Sequence, residues 1–102
     1  MSQEQIQQQR RAIVRPVIKE PRRYKVMVLN DDFTTFDFVI MVMMTVFLKT
    51  EEEAYEIAET THINQSAIVG IYTLDIARSR VDKAIKMARD AGFPLKFDIK
   101  AE

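Results

Sequence analysis

The sequence predicts a small, single α+β domain in which three helices pack on a three-stranded antiparallel sheet, in the order strand, helix, helix, strand, helix, strand. Three observations predict it. Short runs at 24–29, 67–72 and 95–99 have strand length and β-forming residues. Three longer stretches between them repeat apolar residues at helical spacing. Capping residues and a glycine stop punctuate those stretches. A chain of 102 residues has room for one domain with a modest core.

Residues 1–22 come first, rich in Gln and Arg, poor in large apolar side chains and interrupted by Pro16 and Pro21. That composition cannot offset its own ordering entropy, so it predicts a flexible tail preceding a folded core at 23–102. Tyr24 to Leu29 is the first strand, with Tyr24, Val26 and Val28 on one face and Lys25, Met27 and Leu29 on the other. Asn30, Asp31 and Asp32 then turn the chain, because short polar side chains compete for backbone hydrogen bonds. Thr34 is the expected N-cap, with Asp37 three residues on, and the first helix is expected from about Thr35 to Lys49.

That helix is apolar nearly all round. Phe36, Val39, Ile40, Met43 and Phe47 make one stripe, while Phe38, Met41, Val42, Met44, Val46 and Leu48 cover the other sides. Such a helix is either enclosed or leaves a face for another molecule, and its flexible methionines suit either use. A second helix opens at Thr50 with Glu53 completing a capping box and runs to about Thr61, with His62 closing it. Asn64-Gln65-Ser66 turn into the second strand, Ala67–Tyr72. Thr73 caps a third helix to about Ala91, stopped by Gly92. Its inner stripe is Ile76 or Ala77, Val81, Ala84, Ile85 and Ala88. The last strand, Leu95–Ile99, turns Leu95, Phe97 and Ile99 inward.

Composition excludes several functions. The charges balance at 15 basic and 15 acidic, but residues 1–23 carry six basic against two acidic and the rest nine against thirteen. A folded part of net negative charge is a poor partner for nucleic acid. Without cysteine there is no thiolate metal site or thiol nucleophile. The greasiest run, Phe38–Leu48, is 11 residues, against the ~20 needed to cross a bilayer. No signal peptide is evident at the start, so the expectation is a soluble cytoplasmic protein. An acid–base pair of Asp31 and Asp32 with His62 is conceivable, but no nucleophile elbow, phosphate loop or second histidine accompanies it. A single histidine is also a weak metal site, so no metal or cofactor is expected.

The run Tyr24-Lys25-Val26, then Asn30-Asp31-Asp32-Phe33-Thr34, Phe38-Val39-Ile40, His62 and Phe93-Pro94-Leu95 resembles the ClpS family, the bacterial N-end rule adaptors of Clp (AAA+) proteases. The resemblance spans about residues 22–102. It implies a non-enzymatic, monomeric adaptor that binds proteins starting with Leu, Phe, Tyr or Trp. It further implies delivery to the N-terminal domain of a ClpA- or ClpC-like unfoldase, with the flexible tail taking part. By position, Asn30, Asp31 and His62 would hold the free α-amino group. Asp32, Thr34, Phe36, Val39, Ala58, Thr61 and Leu95 would line or support the side-chain pocket, and Asp75 and Arg80 would meet the unfoldase.

The chemistry of the residues agrees with that assignment. An α-ammonium group has three donors and no acceptor, so it calls for converging oxygens or a neutral imidazole nitrogen, which Asn30, Asp31 and His62 can supply. Three positions depart from the family pattern. Phe36 stands where methionine is common, and Ala58 and Thr61 stand where Met and Val are often found, so the pocket's shape differs and Thr61 adds a hydroxyl needing a partner. The alternative is a general interaction domain that docks apolar segments through the Met-rich helix.

Overall fold

The computed structural model describes residues 21–102. The expected flexible tail therefore lies outside the described residues, apart from Pro21 and Arg22. The elements are β1 (Arg23–Leu29), α1 (Phe36–Thr45), α2 (Glu51–Asn64), β2 (Ser66–Thr73), α3 (Leu74–Asp90) and β3 (Lys96–Ala101). This is the expected α+β order. β1 is the central strand, antiparallel to β2 on one side and β3 on the other.

Alternation along β1 turns Val26 and Val28 into the core, where neither is exposed to solvent. Val42 and Met43 of α1, Ala54 and Ala58 of α2, and Val69 of β2 join them. On α3 the buried stripe is Ala77, Val81, Ala84 and Ala88, and the small side chains let the helix lie close to the sheet. Of the two candidates for the start of that stripe, Ala77 is the buried one, while Ile76 is 46% exposed.

Three boundaries differ from expectation. The N-cap of α1 is Thr35, whose hydroxyl accepts from the Phe38 N–H; Thr34 is held by Asp31 instead. α1 also ends at Thr45 rather than Lys49. There Leu48 adopts a left-handed φ of 56°, Lys49 N–H bonds back to the Met43 carbonyl at 3.0 Å, and the Arg80 guanidinium takes the Val46 carbonyl at 2.6 Å. Helical propensity alone does not register a side chain arriving from α3. The second helix runs three residues beyond Thr61, placing His62 inside its last turn, and Gln65 caps it at φ 73°.

Other stops match the sequence. The Thr50–Glu53 capping box is formed. Gly92, at φ 84°, ends α3 in a Schellman arrangement, with Phe93 N–H to Ala88 O and Gly92 N–H to Arg89 O. Thr73 sits at the N-cap position of α3, although its side chain makes no capping hydrogen bond. Leu95 precedes β3 rather than opening it. Among the described residues, no helix is long and apolar enough to cross a membrane.

Candidate functional site

The site is built where β1 ends. Leu29 is the last strand residue, and Asn30 is anchored at once to the end of α2: its backbone N–H donates to the Gln65 carbonyl at 2.9 Å. Its side-chain amide Nδ2 donates to Gln65 Oε1 at 3.3 Å. With one of its two N–H donors engaged by Gln65, this amide keeps its carbonyl oxygen as an acceptor and one N–H as a donor.

Asp31 organises the turn that follows. Its Oδ1 accepts from the backbone N–H groups of Phe33 and Thr34 at 2.8 and 2.6 Å, and its Oδ2 from the Thr34 hydroxyl at 2.7 Å. Partial burial pushes this carboxyl up, but the Thr34 and Phe33 donors, aided by the Arg89 guanidinium, outweigh that and hold it below its ordinary value. Asp31 is therefore ionised near neutral pH. Three accepted bonds leave a carboxylate with capacity for about one more, on Oδ2.

The turn delivers the chain into α1, and the helices supply the apolar wall. Phe36 and Val39 lie one turn apart on α1. Ala58, Thr61 and His62 follow at i, i+3 and i+4 on α2, the spacing that puts them on one face. Between the turn and these helices lies a cavity of about 420 Å³. Asn30, Asp31, Asp32 and Thr34 line it from the turn. Phe36, Val39, Ala58, Thr61 and His62 line it from the helices. One pole is thus acidic and polar, and the wall beside it is mostly carbon. The Thr61 hydroxyl donates to the Ile57 carbonyl one turn back at 2.7 Å, which answers its need for a partner.

Leu95 does not line this cavity. It is 1% exposed and belongs to the central core cluster. Asp75 and Arg80 lie elsewhere, in a shallow cleft on α3 with Ile76, Ser79 and Lys83. Thr73, just before α3, pairs with Arg23 at the start of β1, whereas Asn30 follows its last residue. The seven residues of β1 put roughly 20 Å between the two places. Among the described residues, no group of three or more His, Asp or Glu side chains is gathered that could hold a metal ion.

Three contributors were not evident from the sequence. Gln65 anchors Asn30, yet a glutamine in the left-handed region is not a recognised stop signal. Tyr55 of α2 meets Phe36 edge-on, ring centroids 5.4 Å apart and planes at 77°. Arg89 clamps the carbonyls of Phe93 and Leu95 at 2.8 and 3.0 Å and adds its charge near Asp31. The Gln65 and Tyr55 pairings join residues far apart in the chain, and the Arg89 bonds, though close in sequence, depend on the turn that follows α3.

Residues 19–98 match the family model described as the ATP-dependent Clp protease adaptor protein ClpS. The chain belongs to the ClpS family. The ClpS of Nautilia profundicola is 51% identical over 76 residues, 74% of this chain and 78% of that one. The ClpS of Acetivibrio thermocellus is 48% identical over 77 residues, 76% of this chain and 78% of the relative. A solved structure, that of Agrobacterium tumefaciens ClpS2 bound to L-phenylalaninamide, matches with a TM-score of 0.78 and 38% identity over 81% of this chain and all of that one. ClpS proteins are Clp protease adaptors, and the three helices on a three-stranded antiparallel sheet are their fold.

Proposed function

We propose that this protein is a non-enzymatic adaptor that recognises the free α-amino group and bulky apolar first side chain of a protein and passes that protein to a Clp AAA+ unfoldase. One observation carries the reading: a single cavity brings the Asn30, Asp31 and His62 side chains beside the mainly apolar surface of Phe36, Val39 and Ala58. Phenylalaninamide, bound by the A. tumefaciens relative, has the matching halves, a free amine and an aromatic side chain.

The Asn30 carbonyl oxygen, the remaining acceptor site of Asp31 and an imidazole nitrogen of His62 converge on the amine. An α-amino group with a pKa near ~8 is mostly charged at neutral pH. Its charge-assisted hydrogen bonds contribute about 1.5–3 kcal/mol each. Burial of one Leu or Phe side chain adds about 1.5–3 kcal/mol. Less the cost of association, a few such contributions correspond to binding around micromolar. Neither half suffices alone, so internal Leu and Phe residues are ignored.

The N-terminal tail takes part in delivery, and the cleft at Asp75 and Arg80 docks the N-terminal domain of a ClpA- or ClpC-like unfoldase. The adaptor acts as a cytoplasmic monomer on substrates beginning with Leu, Phe, Tyr or Trp. The test is a panel of fluorescent peptides differing only at the first residue, each with a free and an acetylated N-terminus, titrated by anisotropy. Free Phe and Leu peptides should bind near micromolar and the acetylated forms should not. Equal binding by both forms would overturn the amine assignment. That result would favour the second reading, a docking face for internal apolar segments, for which the exposed Met41, Met44 and Leu48 of the α1 region are the supporting feature.

A further inference from the structure

We infer that this cavity prefers a first residue whose ring carries a hydrogen-bond donor, tyrosine foremost, over phenylalanine and leucine, and that Thr61 makes the distinction. The inference rests on the proposed reading of the cavity as an amine-plus-side-chain site.

Of the residues that line the cavity from the helices, His62 is assigned to the amine, and among the other four, Phe36, Val39, Ala58 and Thr61, Thr61 alone carries a polar side-chain atom. Thr61 is 3% exposed, so whatever meets its oxygen does so away from bulk water. Its one hydroxyl hydrogen is committed to the Ile57 carbonyl at 2.7 Å. Among the described residues, no group donates to Thr61 Oγ1 in return. A hydroxyl oxygen has two lone pairs, so what Thr61 offers a ligand is an acceptor and nothing else. Leu and Phe side chains have no donor to give it. The tyrosine O–H does, at the far end of its ring, and the indole N–H of tryptophan does at its edge.

Space is consistent with the same ligand. Ala58, three residues before Thr61 on the same face of α2, takes little volume from the wall, which leaves length for a substituent beyond a six-membered ring. When phenylalanine fills the cavity, it covers a polar oxygen with carbon, and that oxygen loses any water it had. Tyrosine replaces the water with its own hydroxyl.

The experiment uses the full chain and four free-amine peptides, identical after a first residue of Leu, Phe, Tyr or O-methyltyrosine, with N-acetylated controls. The Tyr peptide should bind about three- to tenfold tighter than the Phe peptide, the difference one buried hydrogen bond makes. O-methyltyrosine, which keeps the oxygen but loses the donor, should bind no tighter than Phe. Thr61→Val should bring the Tyr-to-Phe ratio to near one, and Thr61→Ser should preserve the preference. Equal affinity for Tyr and Phe in the unaltered protein, or a preference that survives O-methylation or Thr61→Val, overturns the inference. Binding of the acetylated controls at full strength instead removes the amine reading, so the two failures are told apart. The O-methyltyrosine comparison decides the matter without requiring any variant to fold.

Discussion

Asn30 and Gln65, 35 residues apart, are joined twice: backbone N–H to backbone carbonyl at 2.9 Å and side-chain amide to side-chain amide at 3.3 Å. The first bond ties the end of the central strand to the end of α2, and the second turns the Asn30 amide so that its oxygen is the free end. His62, three residues before Gln65, lines the same cavity as Asn30.

Gln65→Gly separates the two effects of that junction. Gln65 is strained at φ 73°, a conformation that costs a non-glycine residue about 1–2 kcal/mol, partly offset by the greater unfolded freedom of glycine. The variant should therefore gain about 0.5–1 kcal/mol of stability in denaturant unfolding. It should also bind a Phe-initiated peptide several-fold more weakly, because Asn30 loses its side-chain partner. Unchanged affinity would mean that the amide orientation is immaterial.

Asp31 both holds its turn and lines the cavity, so Asp31→Ala alone is ambiguous. That variant should lose binding of Phe- and Leu-initiated peptides and about 1–3 kcal/mol of stability, since the Phe33 and Thr34 donors lose their acceptor. Asp31→Asn keeps an acceptor oxygen for those backbone groups while removing the charge. It should hold most of the stability yet still weaken peptide binding at least tenfold.

The same carboxyl predicts an acid limit. Its folded-state pKa lies below its unfolded value, so the unfolded chain binds the proton more readily as pH falls. The stability it contributes is complete above the ordinary carboxylate range near ~4 and is lost as pH falls through the lower folded value. Between neutral pH and pH ~4, protonation of Asp31 should cause no loss. Below that range, the unfolding free energy of Asp31→Asn should fall less steeply with pH than that of the unaltered protein, as measured by urea titration.

Phe36 lines the cavity, and Tyr55 packs against it from outside the lining. Phe36 is only partly covered, at 37% exposure, and its edge-on contact with Tyr55 steadies the ring. Branching at the β-carbon of a ligand's first residue places bulk against that ring. Phe36→Ala should raise the affinity of Ile- and Val-initiated peptides relative to Leu by about tenfold, and Tyr55→Ala by a smaller factor, with Tyr55→Phe restoring the original ratio. All three variants should keep their circular dichroism spectrum.

Variants at Arg80 and Asp75 test the proposed docking separately from folding. Arg80 takes the Val46 carbonyl at the end of α1 as well as lining the α3 cleft, whereas Asp75 is exposed and lines the cleft only. Asp75→Ala should weaken capture by an unfoldase N-terminal domain with stability within about 0.5 kcal/mol of the original. Arg80→Ala should weaken capture and also cost about 1–2 kcal/mol, because a partly buried carbonyl loses its donor.

Much of this protein was legible along the chain because the signals are local. Alternation placed Val26 and Val28 inward, the Thr50–Glu53 box started α2, and Gly92 stopped α3; each depends on a few neighbouring residues. The Asn-Asp-Asp turn could be read the same way, since Asp31 bonds to residues two and three positions on. Capping was misplaced by one residue there because Thr34 and Thr35 are equally good caps by type, and only the nearby Asp31 carboxylate decides which hydroxyl is already taken.

What tertiary structure decided was everything that depends on groups distant in the chain. Arg80 shortens α1 from 34 residues away, and Gln65 orients Asn30 from 35. Leu95 shares a strand-like pattern with Phe97 and Ile99 but sits in the core and not in the cavity wall, because packing leaves no opening beside it. Residue type and spacing determined the elements and the chemistry available to them, since propensities and caps act over one or two turns. Which acceptors remain free for a ligand was settled only when the folded chain had used the others.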